Sequence, residues 1–399
     1  MCKLNTLKRK TKKFFLPALL VSVQITAQIT LKVRNIPTGT PDKATIFVAG
    51  NFNGWNPGST AMKKDSHGNY TYTVPESSGT LEYKFTRGTW ASVETDSTSG
   101  EMKNRTAHFT GKPQTLNSNI LSWKDFASVP SRGTAASNVH VMSENFAVPQ
   151  LNTTRKIWIY LPPDYDTGAK NYPVLYMHDG QNLFDEATAF AGEWQVDETL
   201  NTLFTQGDYG AIVIGIDNGG TSRIDEYTPW NNPKYGGGKG DLYMQFICET
   251  LKPYVDAHYR TKPEKEFNAL IGSSLGALIS TYGGIKYSGT FSKIGAFSPA
   301  YWIVGTQLNS YIEKSAANLS AMRIYFVAGS AESATMPADI EAVKLRLQAK
   351  GLTTENTFLK LDPYGKHNEN YWQGEFAAAY RWLFQNTSFE NAHVEKSKR

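Results

Sequence analysis

The chain has 399 residues, enough for two domains, and its 40 % hydrophobic, 13 % aromatic composition is that of a folded protein with a sizeable core. Its formal charge of +5 sits at the start: residues 1–27 carry Lys3, Lys8, Arg9, Lys10, Lys12 and Lys13 and no acid, and without them 35 basic residues stand against 36 acidic ones. That near-neutral remainder gives no support to a nucleic-acid partner.

Residues 1–27 read as a secretory signal peptide, which implies a secreted or periplasmic protein. A basic start leads into an apolar stretch from Phe14 to Val23, and small Ala27 precedes the cut. The stretch is too short to span a bilayer as a helix, and no later segment is apolar enough to do so. After the cut one cysteine remains, Cys248, which rules out an internal disulfide and a cysteine-rich metal site.

Residues 28–113 read as short strands broken by turns. Thr45–Ala49 leads into the Gly/Asn/Pro-rich Gly50–Gly58, and Asn69–Val74 and Leu81–Thr86 alternate with period two. Strands at this spacing predict an all-β, immunoglobulin-like sandwich. The motifs Gly50-Asn51-Phe52-Asn53-Gly54-Trp55-Asn56-Pro57, Glu82-Tyr83-Lys84-Phe85 and Ser92-Val93-Glu94 leading to Asn104-Arg105 resemble the starch- and glycogen-binding carbohydrate modules. The resemblance implies an α-glucan or other glycan partner, with Trp55 stacking on a sugar face and Lys84 bonding its hydroxyls. The family's second tryptophan is replaced by Thr95, and Trp90, five residues earlier, is the candidate substitute. The alternative is that Trp55 and Trp90 pack in the core or between domains.

Residues 114–137 have linker composition. From 138 to 388 apolar runs alternate with helical stretches, and residues 389–399 form a polar tail. Strands are expected at 138–142, 155–161, 172–178, 211–216, 267–271, 294–297, 323–328 and 358–361. Helices are expected at 194–204, 242–258, 275–287, 337–350 and 371–384. Such alternation implies a mostly parallel sheet covered on both faces, with ligands bound beyond the carboxyl ends of its strands.

One pentapeptide falls at such an end: Gly272-Ser273-Ser274-Leu275-Gly276, between an apolar run and a helix. Strand, Gly-x-Ser-x-Gly, helix is the setting of a nucleophile elbow, with Ser274 exposed on a strained turn. A base and an acid should follow it in the chain. Of the histidines after Ser274, His393 is in the tail, and His367 stands in a loop between the last strand and last helix. Among the acids between, Glu332 follows a strand through Gly329-Ser330-Ala331, and Asp339 is the alternative. The oxyanion donors are expected to be the N–H groups of Leu275 and of Gln181, in the loop after strand 172–178.

Leu161-Pro162-Pro163-Asp164-Tyr165, Tyr176-Met177-His178-Asp179-Gly180-Gln181, Gly272 to Gly276, Gly329-Ser330-Ala331-Glu332 and His367-Asn368-Glu369-Asn370-Tyr371-Trp372 together resemble the esterase-D-like family. That family includes feruloyl and acetyl-xylan esterases, S-formylglutathione hydrolases, siderophore esterases and mycolyltransferases. The resemblance implies an α/β-hydrolase fold and ester hydrolysis with neither metal nor organic cofactor. Residues 217–239 are long for a strand-to-helix link and are expected to roof the site through Arg223, Tyr227 and Trp230. Arg223 would either bind a substrate carboxylate or pair with Asp225 or Glu226. The reading is a secreted serine esterase acting on acetyl or hydroxycinnamoyl groups of polysaccharide. A siderophore trilactone esterase and a non-catalytic glycan-binding protein are the rivals.

Overall fold

A computed structural model describes residues 28–75, 77–96, 102–126, 133–189, 192–385 and 387. The expected signal peptide and polar tail lie outside the described residues. Near the start, Ile29–Asn35 runs between Tyr70–Val74 and Gln114–Asn119, with Lys63–Lys64 at one edge, while Phe47–Gly50, Thr80–Thr86 and Arg105–His108 form a second sheet. Alternation turns Ile29, Leu31 and Val33 inward to share one core with Leu81, Tyr83 and Phe85 of the other sheet. Gln114–Asn119, expected in the linker, is a strand: it pairs in parallel with Ile29–Asn35, Ile29 opposite Gln114. Ser122–Trp123 likewise pairs with Glu94–Thr95 and buries Trp123. The run Gln114–Asn119 buries only Ser118, so its main-chain pairing leaves almost no apolar signature.

Beside a two-stranded ladder of Asn231–Asn232 on Gly236–Gly237, the rest of the described chain builds an eight-stranded sheet. Its strands are β1 (Val139–Val148), β2 (Thr153–Tyr160), β3 (Val174–His178), β4 (Ile212–Ile216), β5 (Asn268–Ser273), β6 (Lys293–Phe297), β7 (Arg323–Gly329) and β8 (Thr357–Asp362), in the order β1-β2-β4-β3-β5-β6-β7-β8. β2 is antiparallel to β1 and β4, and every later pairing is parallel. Every residue of β3 to β6 is buried, as expected for strands covered on both faces.

The helices are α1 (Val196–Thr205), α2 (Arg223–Tyr227), α3 (Gly240–Gln245), α4 (Lys252–His258), α5 (Leu275–Lys286), α6 (Gly305–Lys314), α7 (Met336–Gln348) and α8 (Glu369–Phe384). The strands' alternation divides the core. Leu175, Met177, Ala269 and Ile271 pack under α1 and α8, whereas Val174, Tyr176 and Leu270 face α3 to α7. The helix expected over 242–258 is interrupted by a π-helical turn, Phe246–Leu251, leading into α4 with Pro253 in its first turn. Proline has no N–H to give the preceding turn, which accounts for the widened ladder. Helix α6 was not expected: it buries only Leu308 and Ile312, too thin a stripe to register. The sandwich touches the loop after β4, where a Cβ on Gly54 would stand 3.1 Å from Ile224 Cδ1 and 3.4 Å from Tyr235 Cδ1.

Candidate active site

β5 ends at Ser273, and the chain passes directly into α5. At the corner Ser274 has φ 57° and ψ −117°, a conformation costly for a residue with a side chain. The backbone holds it there. Ser274 N–H donates to the Phe297 carbonyl at 2.9 Å, and its own carbonyl accepts from Leu278 N–H and Ala300 N–H at 3.2 and 3.0 Å. A Cβ on Gly272 would lie 2.8 Å from the Gly276 carbonyl carbon, and one on Gly276 would lie 3.3 Å from His178 Cβ. The flanking glycines are therefore a packing requirement of the corner.

Two strands away on the same rim, Glu332 follows β7 with its side chain 2 % exposed. Its Oε1 accepts Gly329 N–H at 2.6 Å and Ser298 Oγ–H at 2.8 Å, and its Oε2 meets His367 Nδ1 at 2.7 Å. Burial acts to raise the Glu332 pKa, but the His367 hydrogen bond and charge, with Gly329 and Ser298, outweigh it and hold the carboxyl below its ordinary value. An ionised carboxylate only accepts, so Nδ1 carries a proton, and in the neutral imidazole Nε2 keeps a free lone pair. Ser298, itself at φ 43° just past β6, accepts Trp372 Nε1–H at 2.9 Å. The Trp372 ring meets the His367 ring edge-on with centroids 5.2 Å apart. Asp339, the alternative acid, lies in the first turn of α7 and makes no hydrogen bond to His367. Among the described residues neither Ser274 Oγ nor His367 Nε2 has a hydrogen-bond partner, a looseness common before substrate binds.

Gln181 is the middle residue of the short turn Gly180–Asn182, entered through left-handed Asp179 at φ 58°. Leu275 opens α5, where a helix leaves its first N–H groups unpaired. The Gly276 Cβ position, 3.5 Å from Asp179 Oδ2, brings the two segments together.

The loop after β4 departs from expectation. Arg223 pairs with neither Asp225 nor Glu226: its Nε and Nη2 donate to the two oxygens of Asp179 at 2.6 and 2.7 Å. Burial would raise the Asp179 pKa, but the Arg223 charge and hydrogen bonds, with Asn218 Nδ2–H at 2.7 Å, hold it below its ordinary value. Glu226 instead pairs with Arg155, and Asp225 with Lys239. Tyr227 is fully buried, its ring against His178 and Tyr243, so it cannot touch a substrate. Trp230 packs on Tyr282 and Tyr311. His178 is no rival base, because burial lowers its pKa to about 3.

In the sandwich, Trp55 (φ 60°) and Trp90 are half-buried and paired, ring centroids 6.3 Å apart. Lys84 is only 7 % exposed, so it does not present an open ammonium to a sugar. Asp179, Ser298 and Trp372 hold this rim together without having been singled out from sequence. Asp179 and Trp372 fall inside two of the family motifs, whereas Ser298 has no local signal.

Comparison with known proteins agrees with this architecture. A family model described as "Putative esterase" matches residues 149–383. YbbA of Bacillus subtilis (strain 168), an uncharacterized protein, is 29 % identical over 244 residues, covering 58 % of this chain and 92 % of its own. An alpha-amylase of Niallia circulans is 37 % identical over 100 residues, in the N-terminal region of this chain, covering 24 % of this chain and 8 % of the amylase. In fold, the chain resembles the enterobactin esterase FES from Shigella flexneri, with a TM-score of 0.53 and 16 % identity over 89 % of this chain and 92 % of that one. With the family model spanning more than half its length, the chain belongs to the esterase family, carboxylic ester hydrolases on an α/β-hydrolase fold, here preceded by an all-β region similar in sequence to part of an alpha-amylase.

Proposed function

We propose that the protein is a secreted serine esterase that removes acyl groups, acetyl or hydroxycinnamoyl, from a polysaccharide. Ser274 Oγ attacks the ester carbonyl, and His367 Nε2 takes its proton and returns it to the leaving alcohol. Glu332 keeps the imidazole in the required tautomer and offsets the charge it gains. The N–H groups of Leu275 and Gln181 stabilise the developing oxyanion. Water, activated by the same imidazole, then cleaves the acyl-enzyme. The observation that carries this reading is the 2.7 Å His367–Glu332 hydrogen bond on the strand-end rim that also holds the strained Ser274 corner.

The polysaccharide part draws support from the amylase-like N-terminal region. Within it the Trp55–Trp90 pair is the candidate sugar platform, and residues 28–126 are the candidate module. Arg223 is engaged by Asp179, so nothing at that residue favours a trilactone siderophore. The test is a hydrolysis panel of acetylated xylan, methyl ferulate, acyl-glucans and ferric enterobactin. Release of acetate or hydroxycinnamate from the polysaccharides is expected. Turnover of ferric enterobactin alone would replace the substrate assignment, and no turnover of any would favour a non-catalytic glycan binder.

A further inference from the structure

Away from Ser274, three carboxylates are gathered, and among the described residues no Lys or Arg is paired with them. Glu193, before α1, is 4 % exposed; Asp197, in its first turn, is 0 % exposed, and Glu198 adjoins it half-buried. Oxygens of the three lie within 4.8 Å of one another. Donors satisfy part of the set: Thr134 Oγ–H gives a hydrogen bond to Glu193 Oε2 at 2.8 Å, and Ala136 N–H to Asp197 Oδ2 at 2.7 Å. Glu193 Oε1, Asp197 Oδ1 and Glu198 Oε2 are buried and accept no hydrogen bond from another residue's donor, although the Asp197 and Glu198 carboxyls lie within hydrogen-bond reach of each other. Among the described residues no ion pair reaches any of the three. A buried, ionised carboxylate without compensation is costly, so such a cluster needs either shared protons or a cation.

We propose that Glu193, Asp197 and Glu198 bind a calcium-sized divalent cation, which fastens the segment 134–136 to the start of α1. The donors are all carboxylate oxygens, which suits a hard cation. Three protein carboxylates converging on one place suit calcium, which takes many oxygen ligands, better than magnesium, which keeps several of its waters and recruits one or two carboxylates. The ion would charge-balance the three unpartnered oxygens and leave the Thr134 and Ala136 hydrogen bonds in place. Glu186 N–H also donates to Thr134 Oγ at 2.8 Å. The same segment is thereby tied to the loop after β3 that carries Gln181.

The test uses the full chain, stripped with EDTA and titrated near neutral pH with CaCl2 or MgCl2. Calorimetry, thermal unfolding, and luminescence of substituting Tb³⁺ excited through neighbouring Trp194 are the readouts. One calcium per chain is expected, with a melting temperature raised by at least about 3 °C at saturation. Both effects should be lost in Asp197→Asn and weakened in the milder Glu198→Gln. A wild-type chain giving no calcium heat and no thermal shift overturns the proposal without reference to any variant. A response that survives both substitutions overturns it too. So does an Asp197→Asn chain that is more stable than a calcium-indifferent wild type, because Asp197 and Glu198 then share a proton. Equal affinity for magnesium overturns the assignment of ion size.

Discussion

Glu332→Gln separates charge and hydrogen-bond polarity at the rim from size. The side chain keeps its volume, but one acceptor oxygen becomes an amide that only donates. Glu332 accepts from three donors, His367 Nδ1–H, Gly329 N–H and Ser298 Oγ–H. An amide nitrogen at either oxygen position therefore meets a donor. Facing His367, it reverses the tautomer, so Nε2 carries the proton and cannot take one from Ser274. Facing Gly329 and Ser298, it clashes with an N–H that the backbone of β7 cannot turn away. The equivalent change in a Ser-His-Asp triad costs roughly 10⁴ in kcat. The amide can still offer Oε1 to Nδ1 in one of its two orientations, so the expected loss here is about 10³–10⁴ in kcat, with KM changed less than about threefold. Steady-state hydrolysis of p-nitrophenyl acetate measures it, with Asp339→Asn as the companion variant expected to stay within about twofold of wild type. A Glu332→Gln enzyme within about tenfold of wild-type kcat, or a severe loss in Asp339→Asn, refutes the assignment of the acid.

The Glu332 carboxyl is held below its ordinary 4.5, so its contribution to stability is complete above that pH and is lost as the pH falls through the lower folded value. Urea titrations should show wild type losing stability relative to Glu332→Gln only below about pH 4.5, and a difference independent of pH would contradict a carboxyl held below its ordinary value. Arg223→Ala leaves Asp179 charged and unpaired at 6 % exposure. Its urea midpoint should fall by the equivalent of about 3–5 kcal/mol, and an unchanged midpoint with a raised KM would instead make Arg223 a substrate contact. Gly272→Ala forces a Cβ within 3.0 Å of three Gly276 backbone atoms. It should cost about 1–3 kcal/mol by thermal unfolding together with most of kcat, and a variant with native stability and rate would remove the packing argument for the corner.

Much of the fold is legible because burial writes it into local order. The continuous apolar runs of β3 to β6 and the Gly-x-Ser-x-Gly corner both answer to short-range sterics. The side chains of the hydrogen-bonded pair were reachable too, His367 through chain order and Glu332 through the turn that follows β7. What stayed hidden depends on pairing between distant segments. Arg223 finds Asp179, 44 residues earlier, in preference to the acids beside it, because those acids are claimed by Arg155 and Lys239. Ser298 bridges Glu332 and Trp372 from a loop without distinctive composition. Lys84 stands where the carbohydrate-module pattern expects a sugar contact, yet it is buried. Gln114–Asn119 is too polar to announce that it is a strand. For Arg223, Ser298 and Gln114–Asn119 the deciding partner is remote in sequence, and no period or motif encodes it.

The central claim is that Ser274 is an activated nucleophile served by His367. Labelling the purified full chain with a fluorophosphonate, followed by peptide mass spectrometry, tests it most directly, because the reagent modifies an activated serine and ignores an inert one. A single adduct on the peptide containing Ser274, abolished in Ser274→Ala and slowed by orders of magnitude in His367→Ala, is the predicted result. An unlabelled chain, or an adduct on some other serine, would contradict it.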